Sequence, residues 1–288
     1  PRLMPLVASD AESTPTERRR GLNVPATADY VDEIESRPPV GVVPRGPFRT
    51  LGLLRAALIR RSNPALYEEI IVADTMNQVV GHAPLFNRDV LEIAASTTSY
   101  AEGFAARGAR VTRMRREIPE ARRGFNPLTS VGVSRELAYS PLVIPADDFA
   151  FDVVFASNIL SSVSDPAALV NELIRVTRPG GTIYLNNNTW WSPWGGFETS
   201  PWHLLSGAYG RRRYVKRNGH DPSNAFGVTF FKVRVKTVIA LLKDDPRIVI
   251  VNAGPRWLPH SMGWLARVPI VRELATINLS VRVERIYG

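Results

Sequence analysis

Cysteine is absent from the 288-residue chain. Disulfide staples, thiolate zinc sites and a cysteine nucleophile are therefore excluded. Lysine is scarce, standing only at Lys216, Lys232, Lys236 and Lys243, so arginine carries almost all the positive charge. No apolar run approaches the roughly 20 residues that cross a bilayer as a helix. The first residues, PRLMPLVASDAES, offer an apolar stretch too short and too broken by proline for a secretion signal, and a cytoplasmic protein is expected. The four histidines have no partners at metal-ligand spacing, so no metal is expected.

What is present fits a globular fold: 44% of residues are hydrophobic and 22% charged. A chain of this length buries roughly 70–75% of its unfolded surface, so its core needs no covalent staple. The formal net charge is +9. Such a balance suits nucleic acid, an anionic membrane surface or an anionic substrate. Arginine in place of lysine, beside abundant Ala, Val and Pro, also follows from a GC-rich genome, and nucleic acid is not the expected partner.

Residues 1–48 read as an irregular, proline-rich arm that cannot bury enough apolar surface to order by itself. One domain is expected over 49–288. Its first helix, 49–62, places Leu51, Leu54 and Leu58 on one face; a second, 64–80, opens with Pro64. Strands then alternate with helices. Apolar runs at 89–95, 109–114, 151–157 and 182–188 predict buried strands. Between them lie a helix at 99–107 closed by Gly108 and one at 166–177 capped by Asp165 before Pro166. This rhythm predicts a doubly wound, mostly parallel α/β sheet with right-handed crossovers. Residues 189–227 break it with Trp190, Trp191, Trp194 and Trp202 and with Gly195, Gly196, Gly207, Gly210 and Gly219, and are expected to form an aromatic insertion or lid. A helix at 235–244 and strands at 247–254 and 279–286 complete the chain.

The string DVLEIAASTTSYAEGFAARGARVTRM, followed by FDVVFASNILSSVSDPAALVNELIRVTRPGGTIYL, resembles the class I S-adenosylmethionine-dependent methyltransferases over about residues 85–190. The tail, from WWSPWGG to VPIVRELATINL, looks like an actinobacterial subgroup of such proteins. The resemblance implies a Rossmann-like fold, S-adenosylmethionine as cofactor, and methyl transfer to an oxygen or nitrogen of an acceptor. It also maps the cofactor positions. The acid closing the first strand is Glu92, but the family's three loop glycines fall on Ala94, Ser96 and Thr98. Glycine serves there where the chain turns through positive φ and approaches the cofactor closely. A side chain in the left-handed region costs roughly 1–2 kcal/mol. The ribose-binding acid falls on Arg115, with Glu117 two residues later, and an arginine cannot accept hydrogen bonds. The adenine-contacting acid falls on Ser140, and a frequent Glu-His pair on Ser161 and Ser162.

Two functions stand side by side on these letters. One is an active methyltransferase whose loop uses hydroxyls of Ser96, Thr98 and Ser140. The other is a pseudo-methyltransferase that keeps the fold as a binding or scaffold protein. In the aromatic segment, Glu198, His203 and His220 are the titratable candidates, with Glu198 and His203 the catalytic pair to examine. A histidine among tryptophans serves equally as a packed, hydrogen-bonded residue. Asn158 and Asn186–Asn187–Asn188 end two sheet strands, where cofactor and acceptor meet in this fold. Buried amides there must be bonded, so they either orient a ligand or hold the frame. Arg211, Arg212, Arg213, Lys216 and Arg217 form the densest basic run. It is either a solvated face or a reader of phosphate on an anionic acceptor or lipid headgroup. The expected acceptor is a small molecule or of glycan or lipid type, with peripheral membrane contact.

Overall fold

The computed structural model describes residues 48–59, 62–80, 85–94, 100–116, 133–139, 143–192, 195–258, 264, 268, 273, 276 and 278–286. The expected arm, up to residue 47, lies outside them.

Among the described residues two helices come first, α1 (Arg49–Ile59) and α2 (Pro64–Val80). Then follow β1 (Asp89–Ala94), α3 (Ala101–Ala105), β2 (Arg110–Arg116), β3 (Val133–Tyr139) and β4 (Phe151–Ser157). Next come α4 (Pro166–Val176), β5 (Thr177–Asn188), α5 (Gly207–Asn218), α6 (Val235–Lys243), β6 (Ile248–Pro255) and β7 (Asn278–Arg285). The local signals behave as their chemistry dictates. Asp165 Oδ1 accepts from the N–H groups of Ala167 and Ala168 at 3.0 and 3.1 Å and starts α4 directly before Pro166. Gly108, at φ +78°, turns the chain after α3 where a Cβ would meet the Phe86 ring.

The seven strands form one sheet in the order β3-β2-β1-β4-β5-β7-β6. The first five are mutually parallel, and β7 runs antiparallel to both β5 and β6. Both faces are covered, as the period of two requires. Leu91, Ile93, Val154, Ile183 and Val283 join one core with Leu169 and Leu173 of α4 and Val238 and Leu242 of α6. Val90, Val111, Val153, Phe155 and Tyr184 join the other with Met76 and Val79 of α2 and Phe104 of α3. The doubly wound α/β expectation holds.

Three features differ from the sequence expectations. Strand β3, VSRELAY, was hidden because charged residues interrupt its alternation, which suits an edge strand. Strand β5 starts at Thr177, and the Pro179–Gly180–Gly181 turn lies within it as a register shift against β4. The leucine stripe of α1 faces outward: Leu51, Leu54 and Leu58 are exposed, whereas Leu53 and Ala56 are buried. The helix is apolar nearly all round, so periodicity alone does not select the buried face. Charge pairing does. Arg49 donates to both oxygens of the buried Asp74 on α2, at 2.6 and 2.9 Å, and to the Arg256 carbonyl beyond β6 at 2.9 Å. The Arg256 guanidinium, itself buried, lies 3.6 Å from the same carboxylate.

Removing one partner of a buried charge cluster strands the others. Asp74→Asn is expected to lower the unfolding free energy by about 3–5 kcal/mol, read from urea denaturation. A shift within error of zero would show that this cluster does not hold α1 to the domain.

Candidate functional site

The connection from β1 leads to β2 on one side of the sheet, and that from β4 leads to β5 on the other. The crevice between them, beyond the carboxyl ends of β1 and β4, is where open α/β sheets take ligands. Glu92 sits there in the penultimate turn of the pleat, fully buried. Its Oε1 accepts from the Tyr100 N–H at 2.7 Å, tying the start of α3 back to β1. Its Oε2 lies 3.4 Å from Nε of Arg113, its register partner on β2, which is also buried. The Tyr100 ring packs on Phe155 of β4, with centroids 4.7 Å apart. One acid thus joins β1, β2 and the element that returns from the 95–99 stretch. Sequence analysis found Glu92 but not Arg113. The signal was available, because Val111 points into the core and period two puts Arg113 beside it.

Of the other cofactor positions, Ser96, Thr98, Glu117 and Ser140 lie outside the described residues, as does Trp194. Ala94 ends β1 opposite Ser157 and is not among the described non-glycine residues at positive φ. The strain expected at position 94 is therefore absent, and only the bulk of its methyl group distinguishes it from glycine. The Arg115 backbone pairs with Ala138 near the carboxyl end of β2. Ser157, at the end of β4, buries a hydroxyl that has no hydrogen-bond partner among the described residues.

Asn158 follows at φ +54°, a left-handed conformation that asparagine tolerates. Its N–H donates to the Asn186 carbonyl at 2.6 Å, and its Oδ1 accepts from the Asn188 N–H at 2.9 Å. Asn187 Oδ1 accepts from the Ser161 N–H, and Asn278 of β7 donates to Asn188 Oδ1 at 2.8 Å. These amides bind the exits of β4, β5 and β7 to one another. Ser161 and Ser162 are buried in the turn after β4, their hydroxyls donating to the carbonyls of Asn158 and Ile159.

The aromatic segment separates the two catalytic candidates. His203 is fully buried, with Nε2 donating to the Trp190 carbonyl at 2.9 Å and its ring edge-on to Trp190. Gly196 passes so close that a Cβ there would overlap the imidazole. Burial pushes the imidazole pKa down. Glu198 is exposed and accepts from Asn224 Nδ2 at 3.0 Å; nothing among the described contacts joins it to His203. His220 lies exposed against Tyr214. The tryptophans also part. Trp190 is buried with Phe226 and Phe230, whereas Trp202 stands 40% exposed. Among the described residues, no three His, Asp or Glu side chains gather as a metal site.

The sequence model of the methyltransferase domain family matches residues 91–185, the stretch from β1 through β5. An uncharacterized methyltransferase of Mycobacteroides abscessus is 30% identical over 244 residues, spanning 80% of this chain and 92% of its own length. A second, from Mycobacterium leprae, is 30% identical over 237 residues, 80% and 87% of the two chains. The chain belongs to the class I S-adenosylmethionine-dependent methyltransferase family. Its fold is also that of geranyl diphosphate methyltransferase solved with GPP and sinefungin, at a TM-score of 0.50, 13% identity, and 87% and 86% coverage of the two chains.

S-adenosylmethionine is the cofactor of this family, and the described end of the methyltransferase crevice fits a hydrogen-bonding group of that kind. Glu92 already fixes the loop's return, and the buried Ser157 hydroxyl is left to be satisfied.

The His203 environment carries its own prediction. The folded ring resists protonation, so the unfolded chain takes up the proton first as pH falls. Stability is therefore lost as pH drops below about 6.5, the ordinary imidazole value. His203→Gln keeps a donor for the Trp190 carbonyl and is expected to flatten that part of the profile. Urea midpoints above and below this pH check it; parallel profiles for the two proteins would contradict a neutral, buried ring.

Proposed function

We propose that the chain transfers a methyl group to an oxygen or nitrogen of a small-molecule, glycan or lipid-type acceptor, with the donor held at the carboxyl ends of β1 and β4. The observation that supports this reading is the buried Glu92–Arg113 pair with its bond to the Tyr100 N–H. Apolar replacements of a buried ion pair are often neutral or stabilising, so stability alone is a weak reason for such a pair. A pair that shapes the cofactor loop has a reason to persist.

S-adenosylmethionine, when bound, supplies an electrophilic methyl carbon on a sulfonium. The chain's part is to bind and orient. Glu92 holds Tyr100, at the start of α3, against the end of β1. Ser157 offers a hydroxyl inside it. Asn158, locked to Asn186 and Asn188, keeps the β4 exit at a fixed distance from β5. Well-oriented reactants can gain about 7–11 kcal/mol over a bimolecular encounter, so a rigid frame is itself catalytic. The segment 189–227, which leaves β5 directly after Asn188, forms the wall on the acceptor side. His203 and Glu198 serve in this proposal as supports of that wall, since His203 already commits Nε2 to a carbonyl.

The pseudo-methyltransferase reading is favoured by one residue, Arg115, which stands where an acid should accept the ribose hydroxyls. Calorimetric titration with S-adenosylmethionine separates the two. Micromolar or tighter affinity supports the enzyme and sinks the pseudoenzyme; no detectable binding does the reverse.

Weak binding has a further test. Ala94→Gly, Ser96→Gly and Thr98→Gly together relieve the methyl bulk at 94 and any left-handed strain at 96 and 98. At roughly 1–2 kcal/mol for each left-handed position, the gain is about 1.5 to 3 orders of magnitude in affinity. Adding Arg115→Glu should raise it again by returning an acceptor. Equal affinity in the wild type and both folded variants would show that the loop does not limit donor binding.

A further inference from the structure

Helix α5 is the most polar element of the chain, yet it is fully formed. Ser206 Oγ accepts from the Tyr209 N–H at 2.9 Å at its start, and Gly219 closes it in the left-handed conformation. Its buried positions are two glycines. A Cβ at Gly207 would overlap the Phe226 ring, and one at Gly210 would press on the His203 backbone. The helix therefore lies flat on the aromatic segment through its smallest residues, and its long side chains are turned outward.

The outward face is ordered. Tyr209, Arg212, Arg213 and Lys216 recur at helical spacing and all are exposed. The Arg213 guanidinium lies 4.2 Å over the Trp202 ring, and Trp202 stands 6.4 Å from Tyr209. Beside them Leu205, on the short link into α5, is 71% exposed. An indole and a phenol thus share one surface with Arg213, flanked by Arg212 and Lys216 at helical spacing, and an exposed leucine precedes the helix. Acidic neighbours do not offset them. Residues 199–220 contain no Asp or Glu, and Asp221, the next acid, is held by Arg211 at 2.7 and 2.8 Å.

We propose that this surface, formed by Trp202, Leu205, Tyr209, Arg212, Arg213 and Lys216, docks the protein on an anionic lipid surface. Cations draw it to the headgroups, Trp and Tyr suit the interface, and Leu205 enters the acyl boundary. An exposed leucine at the tip favours lipid over nucleic acid, whose phosphates and bases offer it no apolar pocket. Among the described residues no helix is long and apolar enough to cross a membrane, so the contact is with the surface.

The test is co-sedimentation of the full chain with vesicles. Vesicles of phosphatidylglycerol and phosphatidylcholine in equal parts should carry the protein down, and pure phosphatidylcholine should not. Added salt should weaken the binding. Each cation near such a surface is worth about five-fold in affinity. Arg212→Gln, Arg213→Gln and Lys216→Gln together should therefore lose about a hundred-fold. Leu205→Ser, at a position too exposed to affect folding, should weaken binding while leaving its salt dependence unchanged. Circular dichroism verifies that each variant is folded. Equal sedimentation with both vesicle types, or a folded triple variant that binds as the wild type does, would overturn the proposal. So would tighter binding to a single-stranded RNA oligonucleotide than to the anionic vesicles at the same salt.

Discussion

The carboxylate of Glu92 is the constraint on which the centre of this molecule depends. It is buried at the switch point of the sheet, where a lone charge would be intolerable. Arg113 across β2 and the Tyr100 N–H at the start of α3 together make it tolerable. Each of those partners then fixes something else. Arg113 holds the register of β1 against β2, because a one-residue slip would turn it to the opposite face. Tyr100 brings its ring onto Phe155, which also packs against Phe104, so the acid, the short helix and β4 are placed together. The crevice has its shape because one polar atom set required partners.

Much of the fold was legible because its signals are local. The apolar runs in DVLEIA and FDVVFAS, the Asp165–Pro166 start and the Gly108 stop act within a few residues, and all appear where the letters put them. What was not legible depends on distant partners. The edge strand β3 carries charged letters, and among the described strands it has a neighbour on one side alone. The outward leucines of α1 follow from Arg49 reaching Asp74, a pairing across 25 residues, and Arg256, across 207. The candidate site divides in the same way. The acid at the end of β1 could be read from the sequence. That Ala94 is still in strand geometry, that Asn158 spends its amide on Asn188, and that His203 is sealed against Trp190 are consequences of tertiary contact.

The aromatic segment shows how glycine can organise bulk. Gly196 admits the His203 ring, Gly207 admits Phe226, and Gly210 lets α5 approach the 3-10 turn Trp202–Leu204. At these three positions a ring or a neighbouring backbone fills the space a side chain would take. Trp190 is thereby enclosed by Phe226, Phe230 and His203. Trp202 stands outside that packing, exposed beside Arg213 and Tyr209. Trp190 and Trp202, close in sequence, have different environments because Gly196 and Gly207 let the rings of His203 and Phe226 pack around Trp190.

The scarcity of lysine has a structural counterpart. Many arginines in this chain do work that requires a planar fork with several donors. Arg285, on the last strand, donates to the carbonyls of Ile174 and Thr177 and so satisfies the end of α4. Arg175 spans the carbonyls of Ile144 and Ala146 and the carboxylates of Glu172 and Asp148. Arg178 bridges Asp89 and Asp152 at the opposite ends of β1 and β4 from the crevice. A lysine ammonium, a single point of charge, could satisfy only part of each set. These guanidiniums are committed to carbonyls and carboxylates, and the acids that pair with them are already subtracted in the formal charge of +9. The uncommitted cations of α5 then stand out by contrast. Arg213 lies over the Trp202 ring where Arg175 and Arg178 meet carboxylates, and that difference in company is what the proposed contact with an external anion rests on.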